Sequence, residues 1–208
     1  MKRDIEFAEL ICARYSHDLA GPIGAINNGV EFLEYSEGDI KDKAIDLIKT
    51  SAIQAVTRLQ FFRQVYGFIK PDSEMSLSDI MVLSDSFFAL TKIKLTWEYD
   101  QNSEALSQCN ARFAKVILNI IYFASTILVS TGAVIVKFDT DRIVKLLVSG
   151  DKMIVDDYLL SVLKGEMELV ELSTKNIHVY YFMQIIKDLD IKITIEQKDE
   201  KFVFVIKK

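Results

Sequence analysis

Residues 3–36 place apolar side chains at alternating steps of three and four: Ile5, Ala8, Cys12, Tyr15, Leu19, Ile23, Ile26, Val30 and Leu33. That spacing predicts one long helix with a coiled-coil-like seam. Ile45, Ile48, Ala52, Ala55, Leu59, Phe62 and Tyr66 repeat the pattern and predict a second helix from Lys41 to Ile69. Between them, Ser36-Glu37-Gly38-Asp39 is a short polar turn, so the helices form an antiparallel hairpin. A single hairpin leaves half its seam uncovered. Leu47, Val56, Phe61 and Val65 widen the apolar surface beyond one stripe. Two chains are therefore expected to pair their hairpins into a four-helix bundle with two-fold symmetry. The alternative is that the rest of the chain covers the hairpin.

Lys70-Pro71-Asp72-Ser73-Glu74 breaks the pattern and divides the chain into a hairpin domain, 1–70, and a second domain, 71–208. Beyond the break the period changes repeatedly. Ser76 to Lys92 predicts a helix with Ser76 as its N-cap. Ile93 to Tyr99 alternates as a strand, Ser103 to Asn110 reads as a loop, and Ala111 to Ser130 as a buried helix. Strands follow at Ala133–Asp139 and Arg142–Val148, around a Thr140-Asp141 turn. Helices are expected at Asp156–Lys164 and Ile177–Leu189. Ile191–Gln197 and Phe202–Ile206 make a last hairpin around Lys198-Asp199-Glu200-Lys201. The fold class is α+β: a long helical hairpin, then an α/β sandwich of helices on a mixed sheet.

Half of the 208 residues are hydrophobic, enough for real cores in both parts. A net charge of −5 argues against nucleic acid as the main partner. The most apolar run, Val116 to Val129, is interrupted by Asn119, Ser125 and Thr126 and falls short of the ~18–20 residues of a membrane span. The Met-Lys-Arg-Asp-Ile-Glu start turns acidic at once, unlike a signal peptide. Cys12 and Cys109 lie far apart without metal spacing, and fit two packed, reduced thiols in a cytoplasmic protein.

The candidate chemistry sits on the first helix. His17 lies two residues before Leu19, about 200° of helical turn, so it points away from the seam into water. Asp18 follows it. Pro22 lacks the N–H that would bond the Asp18 carbonyl, so the helix should kink or loosen there, with Gly21 adding freedom. By itself an exposed histidine on a helix is only a surface residue. In His17-Asp18-Leu19-Ala20-Gly21-Pro22, however, the histidine, the acid after it and the proline five residues on resemble the phospho-acceptor box of two-component histidine kinases and histidine phosphotransferases.

A hairpin with an acceptor histidine, followed by this order of elements, is similar to the dimerisation and catalytic domains of a sensor histidine kinase. Val116 to Ala124 matches the apolar frame of that family's asparagine-rich ATP box, with Asn119 on its first asparagine. The second asparagine, which holds Mg²⁺, falls on Phe123, and a phenyl ring cannot ligate a cation that demands oxygen. Ser149-Gly150-Asp151-Lys152-Met153 stands where an Asp-x-Gly-x-Gly loop reads the adenine. Leu172-Ser173-Thr174-Lys175-Asn176-Ile177-His178 replaces a glycine-rich lid, and none of the eight glycines forms a phosphate cradle. Fold kept and nucleotide site lost is a combination that, over the full length, resembles the ChpT-type histidine phosphotransferases. Cys12-Ala13-Arg14, Pro22-Ile23-Gly24-Ala25-Ile26-Asn27-Asn28-Gly29 and Arg58-Leu59-Gln60-Phe61-Phe62-Arg63 carry the likeness.

The resemblance implies a dimeric phosphorelay protein that works without ATP. His17 accepts phosphate from a phospho-aspartate on the receiver domain of a hybrid histidine kinase and passes it to a response-regulator receiver. Imidazoles titrate near pH ~6.5, so many are neutral nucleophiles at neutral pH. Asp18 is placed to fix the ring tautomer and offset positive charge. No cofactor or metal is expected on this chain; Mg²⁺ belongs to the partner receiver. Ala20, Gly21, Gly24, Asn28 and Glu31 share one side of the helix and form the expected docking surface, unless the glycines relieve crowding inside the dimer. Arg63, Gln64 and Gly67 would complete it from the second helix. Many kinases have Asn or Thr where Gly21 stands, which speaks against phosphatase activity here. His178 is expected to pack or lie on the surface, and Tyr180-Tyr181-Phe182 to face the sheet as core. Two other readings stay open: an ATP-dependent histidine kinase with a divergent site, and a non-catalytic dimeric scaffold.

Overall fold

The structure, a computed structural model, describes residues 2–35, 37–70, 73–100, 108–140, 143–155, 157–164, 166, 172–198 and 201–207. Two long helices open the chain, α1 (Lys2–Tyr35) and α2 (Asp39–Tyr66). They pack side by side as the hairpin their periods predict. Gly38, with φ at +58°, makes the turn into α2, a backbone that only glycine adopts freely. α2 ends three residues earlier than expected, where the Gly67 N–H closes on the Arg63 carbonyl at 3.0 Å.

α1 continues through Pro22. The Asp18 carbonyl, left without its helical partner by the proline, lies 3.4 Å from Arg58 Nη1 of α2. The helix is thus loosened at one bond and repaired from outside. Gly29 is buried against α2: a Cβ there would sit 2.6 Å from Ile48 Cγ1 and 3.3 Å from the Ala44 carbonyl. Its missing side chain sets how close the two helices lie.

Beyond residue 72 come β1 (Glu74–Ser76), α3 (Leu77–Phe88), β2 (Lys92–Glu98), β3 (Gln108–Asn110), α4 (Ala111–Ile127), β4 (Thr131–Thr140) and β5 (Ile143–Ser149). They are followed by α5 (Asp157–Lys164), α6 (Ile177–Asp188), β6 (Lys192–Lys198) and β7 (Lys201–Lys207). Ser76 caps α3 in a reciprocal box with Asp79, as its position predicts. The helix stops at Phe88, short of Lys92. The expected loop ending at Asn110 closes as a strand instead, with Gln108–Asn110 pairing Glu74–Ser76; residues 101–107, like the Pro71-Asp72 break and the Asp141 turn, lie outside the described residues. α4 ends at Ile127, because Leu128 turns extended and bridges Met153.

Five strands form the sheet in the order β2-β4-β5-β7-β6, with β2 parallel to β4 and the other pairs antiparallel. Register puts Val134, Val148 and Phe202 in one row, and Val136, Leu146 and Phe204 in the next, all on the buried face. α3 and α4 pack on the sheet, and α6 lies beside α4. The mixed α+β class expected from the pattern is the class observed.

The hairpin is bolted to this layer at one end. Phe61 and Val65, expected to widen the exposed stripe, are fully buried in the second domain's core, so the covering that was the alternative reading holds for this end of α2. Phe61 stacks on Phe87 at 4.2 Å, and Phe62 and Tyr122 meet edge-on at 5.3 Å. Such pairs contribute ~0.5–1.5 kcal/mol each beyond area burial. On α1, Phe7, Leu10, Ile11 and Tyr15 pack on the same core. Phe182 is core as expected. Tyr180 and Tyr181 face the hairpin rather than the sheet: both rings lie about 6 Å from Phe7. Away from the joint the hairpin stays apolar and uncovered, with Ile23, Val30, Ile53, Val56 and Leu59 exposed.

Candidate functional site: an exposed imidazole on a clamped carboxylate

His17 stands on the outer side of α1 with its side chain 81% exposed, as its offset from the seam predicts. Asp18 does not share that exposure. Its side chain is only 11% exposed, because the joint between hairpin and second domain closes over it. The expected neighbours are thus a wet imidazole and a half-buried carboxylate. Asp18 Oδ1 lies 3.4 Å from His17 Nδ1. In the tautomer with its proton on Nδ1, the ring donates to that oxygen and leaves Nε2 bare towards solvent.

The other carboxylate oxygen is held twice. Arg14, one turn earlier on α1, donates from Nε to Asp18 Oδ2 at 3.0 Å. Tyr122 of α4 donates its hydroxyl to the same oxygen at 2.7 Å. Arg14 also donates to the Tyr122 oxygen, from Nη2 at 2.9 Å and Nε at 3.2 Å. Because a guanidinium has no acceptor, the tyrosine oxygen must receive from Arg14 and give its own proton to Asp18. Burial works against the charge on Arg14, but Tyr122 and Asp18 together outweigh it and raise its pKa above the ordinary value. Burial likewise raises the Tyr122 pKa, so it stays a neutral donor. Arg14 Nη1 lies 3.4 Å from the Thr174 carbonyl, tying α1 to the turn before α6.

Arg14 and Asp18 fall on a stripe that hydrophobic counting passes over. The face α1 turns inward runs through Phe7, Ile11, Arg14, Asp18, Pro22 and Gly29, at helical steps like those of the expected seam but on another side. On the expected seam, Ile5, Ala8, Cys12, Ile23 and Val30 are exposed and Tyr15, Leu19, Ile26 and Leu33 half-buried. Cys12, expected to be packed, is an exposed thiol. Nothing local marked Tyr122, which is 104 residues from Asp18 in sequence. Arg14 carried two signals, its place in the Cys12-Ala13-Arg14 string and an Asp four residues on.

The expected docking residues Ala20, Gly21, Gly24, Asn28 and Glu31 are all exposed. A Cβ added at Gly21 or Gly24 meets nothing within 4 Å. Glu31 accepts from Asn27 at 2.7 Å. On α2, Arg63 is exposed and Gln64 half-buried, while the Gly67 carbonyl accepts from Lys115 at 2.7 Å and is taken up in the joint.

Beside the clamp lies a cavity of about 550 Å³, walled by Arg14, Asp18 and Arg58 of the hairpin, Tyr122 and Thr126 of α4, and His178 of α6. The two α4 positions matched to the ATP box, Asn119 and Phe123, do not line it. Asn119 spends its amide N–H groups on the Val65 and Lys115 carbonyls, at 3.1 and 2.8 Å. Phe123 is fully buried, edge-on to Phe204, and offers no oxygen. His178 packs, as one of its two expected roles had it, edge-on to Tyr122 at 5.2 Å. Thr126 spends its hydroxyl proton on the Phe123 carbonyl, so His178 Nε2 donates to Thr126 Oγ1 at 3.1 Å. Burial, then the charge of Arg14, lowers the His178 pKa to about 3. Among the described residues no three His, Cys, Asp or Glu side chains gather to hold a metal, and no helix is long and apolar enough to cross a membrane.

Residues 77–201 match the family described as histidine phosphotransferase C-terminal domain. A protein phosphotransferase ChpT of Brucella abortus (strain 2308) is 29% identical over 204 residues, spanning 96% of this chain and 94% of that one. A solved bacterial phosphotransferase superposes with a TM-score of 0.83 at 27% identity, over 98% of this chain and 96% of that one.

Proposed function

The chain belongs to the histidine phosphotransferase family, and on that premise we propose that it relays phosphate between receiver domains through His17, without ATP. The observation that carries the reading is the pairing of an 81% exposed imidazole with a carboxylate anchored beneath it. Nε2 attacks the phosphorus of a receiver's phospho-aspartate in line. The N–P bond forms as the bond to the aspartate oxygen breaks, and the receiver's carboxylate leaves. The Nδ1 proton stays between the ring and Asp18 Oδ1, offsetting positive charge on the imidazole. Transfer to a response regulator is the same step reversed, and the relative phosphorylation of the two receivers sets its direction.

The receivers bring their own Mg²⁺, so the chain needs neither metal nor nucleotide of its own. Asn119 and Phe123, committed to packing, support that absence of ATP chemistry. Docking is assigned to the open face beside His17, where Ala20, Gly21, Gly24, Asn28 and Glu31 keep the surface low. The uncovered apolar side of the hairpin supports a homodimer joined as a four-helix bundle. The working compartment is the cytoplasm, where receivers reside.

The test is incubation with a phosphorylated receiver. The wild-type chain should take up acid-labile phosphate, and His17→Ala should take up none. Uptake by that variant would place the acceptor elsewhere. Tight ATP binding in calorimetry would favour the kinase alternative.

A further inference from the structure

We propose that Tyr122, on α4 of the second domain, is a positioning residue for phosphoryl transfer at His17, acting through the Asp18 carboxylate. The proposal rests on the phosphotransfer reading above and gives the second domain a direct part in it.

Adjacent residues on a helix point about 100° apart, so helix geometry alone does not turn Asp18 towards His17. The orientation comes from hydrogen bonds, one from another element and one from the preceding turn of α1. It comes from Tyr122, whose hydroxyl meets Oδ2 at 2.7 Å, and from Arg14, at 3.0 Å on the same oxygen. With Oδ2 tied, Oδ1 is the oxygen left for His17 Nδ1. The tyrosine has little freedom to follow a moving carboxylate. It is 3% exposed, and the rings of Phe62, Phe87 and His178 stand edge-on to it at 5.2–5.9 Å. Arg14 fixes the hydroxyl rotor as well, since its two N–H contacts occupy the oxygen's acceptor side.

The consequence is a held tautomer. Asp18 Oδ1 takes the Nδ1 proton, and Nε2 presents its lone pair outward in every turnover. Without the clamp, Oδ2 is free, the carboxylate rotates, and the imidazole samples both tautomers. Only one of them has a bare Nε2. α4, whose Asn119 and Phe123 have gone to packing, acts on the acceptor through its intervening tyrosine.

The test compares the full-length wild type with Tyr122→Phe, Arg14→Gln, His17→Ala and Tyr181→Phe. Each is assayed for phosphate uptake from a phosphorylated receiver and for the His17 tautomer by ¹⁵N NMR. The chain has two histidines, so the imidazole spectrum resolves His17 against His178. Tyr122→Phe keeps the ring and its packing. It should slow uptake by about ten- to a hundredfold and shift His17 away from the Nδ1–H form. Arg14→Gln, which cuts the clamp from the solvent side, should produce the same tautomer shift. Tyr181→Phe loses a 3.5 Å contact to the Tyr66 carbonyl across the same joint but touches nothing at Asp18, and should change neither readout. Wild-type uptake in Tyr122→Phe, or slowed uptake with an unchanged tautomer, overturns the positioning role. Uptake by His17→Ala overturns the phosphotransfer reading itself, so the two failures are distinct.

Discussion

The charge on Asp18 is the residue around which the site is arranged. A carboxylate largely withdrawn from water is stable only where hydrogen bonds replace it. Here Arg14 and Tyr122 supply them on one oxygen. Arg58 does similar work for the backbone, reaching the carbonyl that Pro22 leaves without a partner. His178 shows the opposite solution, staying neutral. Its folded pKa near 3 lies below the ~6.5 of an unfolded histidine, so between those values the unfolded chain binds a proton that the folded chain refuses. Stability therefore falls as pH drops through that window. Urea unfolding at about pH 7 and about pH 4.5 should show the wild type losing roughly 2 kcal/mol more than His178→Asn. Equal losses in the two proteins would mean that His178 is protonated in the fold.

At the scale of elements, the hairpin depends on a close approach of its helices. Gly29 carries that approach, with Ile48 and the Ala44 carbonyl where a side chain would stand. Gly29→Val should destabilise the chain by about 1–3 kcal/mol in denaturant unfolding, because the helices must part or Ile48 must leave its rotamer. Unchanged stability would show that the helices have slack there. Gly21 and Gly24, by contrast, have open space around them, so a Cβ added at either meets no neighbour. Both helix periods and the Ser76 cap were legible in the sequence, because they are set by neighbours within a few residues. The short β1–β3 ladder was not, since pairing three-residue strands over more than thirty residues leaves no periodic trace.

For the whole molecule, the second domain covers one end of the hairpin and leaves the other bare. Phe61, Val65 and Phe7 go into the joint, while Ile53 and Val56 stay exposed on α2. An apolar face of this extent on a helical hairpin is stable in water when a second copy covers it. Light scattering should therefore find a dimer for the wild type and a folded monomer for Ile53→Glu combined with Val56→Glu. A monomeric wild type would remove the four-helix bundle from the scheme. Because the joint also holds the clamp on Asp18, the surroundings of that carboxylate are built by both halves of the chain.

The sequence by itself determined the helical hairpin, the mixed α+β order that follows, and the exposure of His17, since each follows from spacing along a single element. It also carried the family likeness, in the strings around His17, Asn28 and Arg58. Only the tertiary structure decided that Asp18 is largely covered, that Arg14 lies on an inward stripe, that Cys12 is exposed, and that Tyr122 reaches Asp18. Those outcomes depend on which faces of α1 and α4 meet, and that meeting is settled by the packing of many distant side chains at once. A pattern read along one helix holds no record of it.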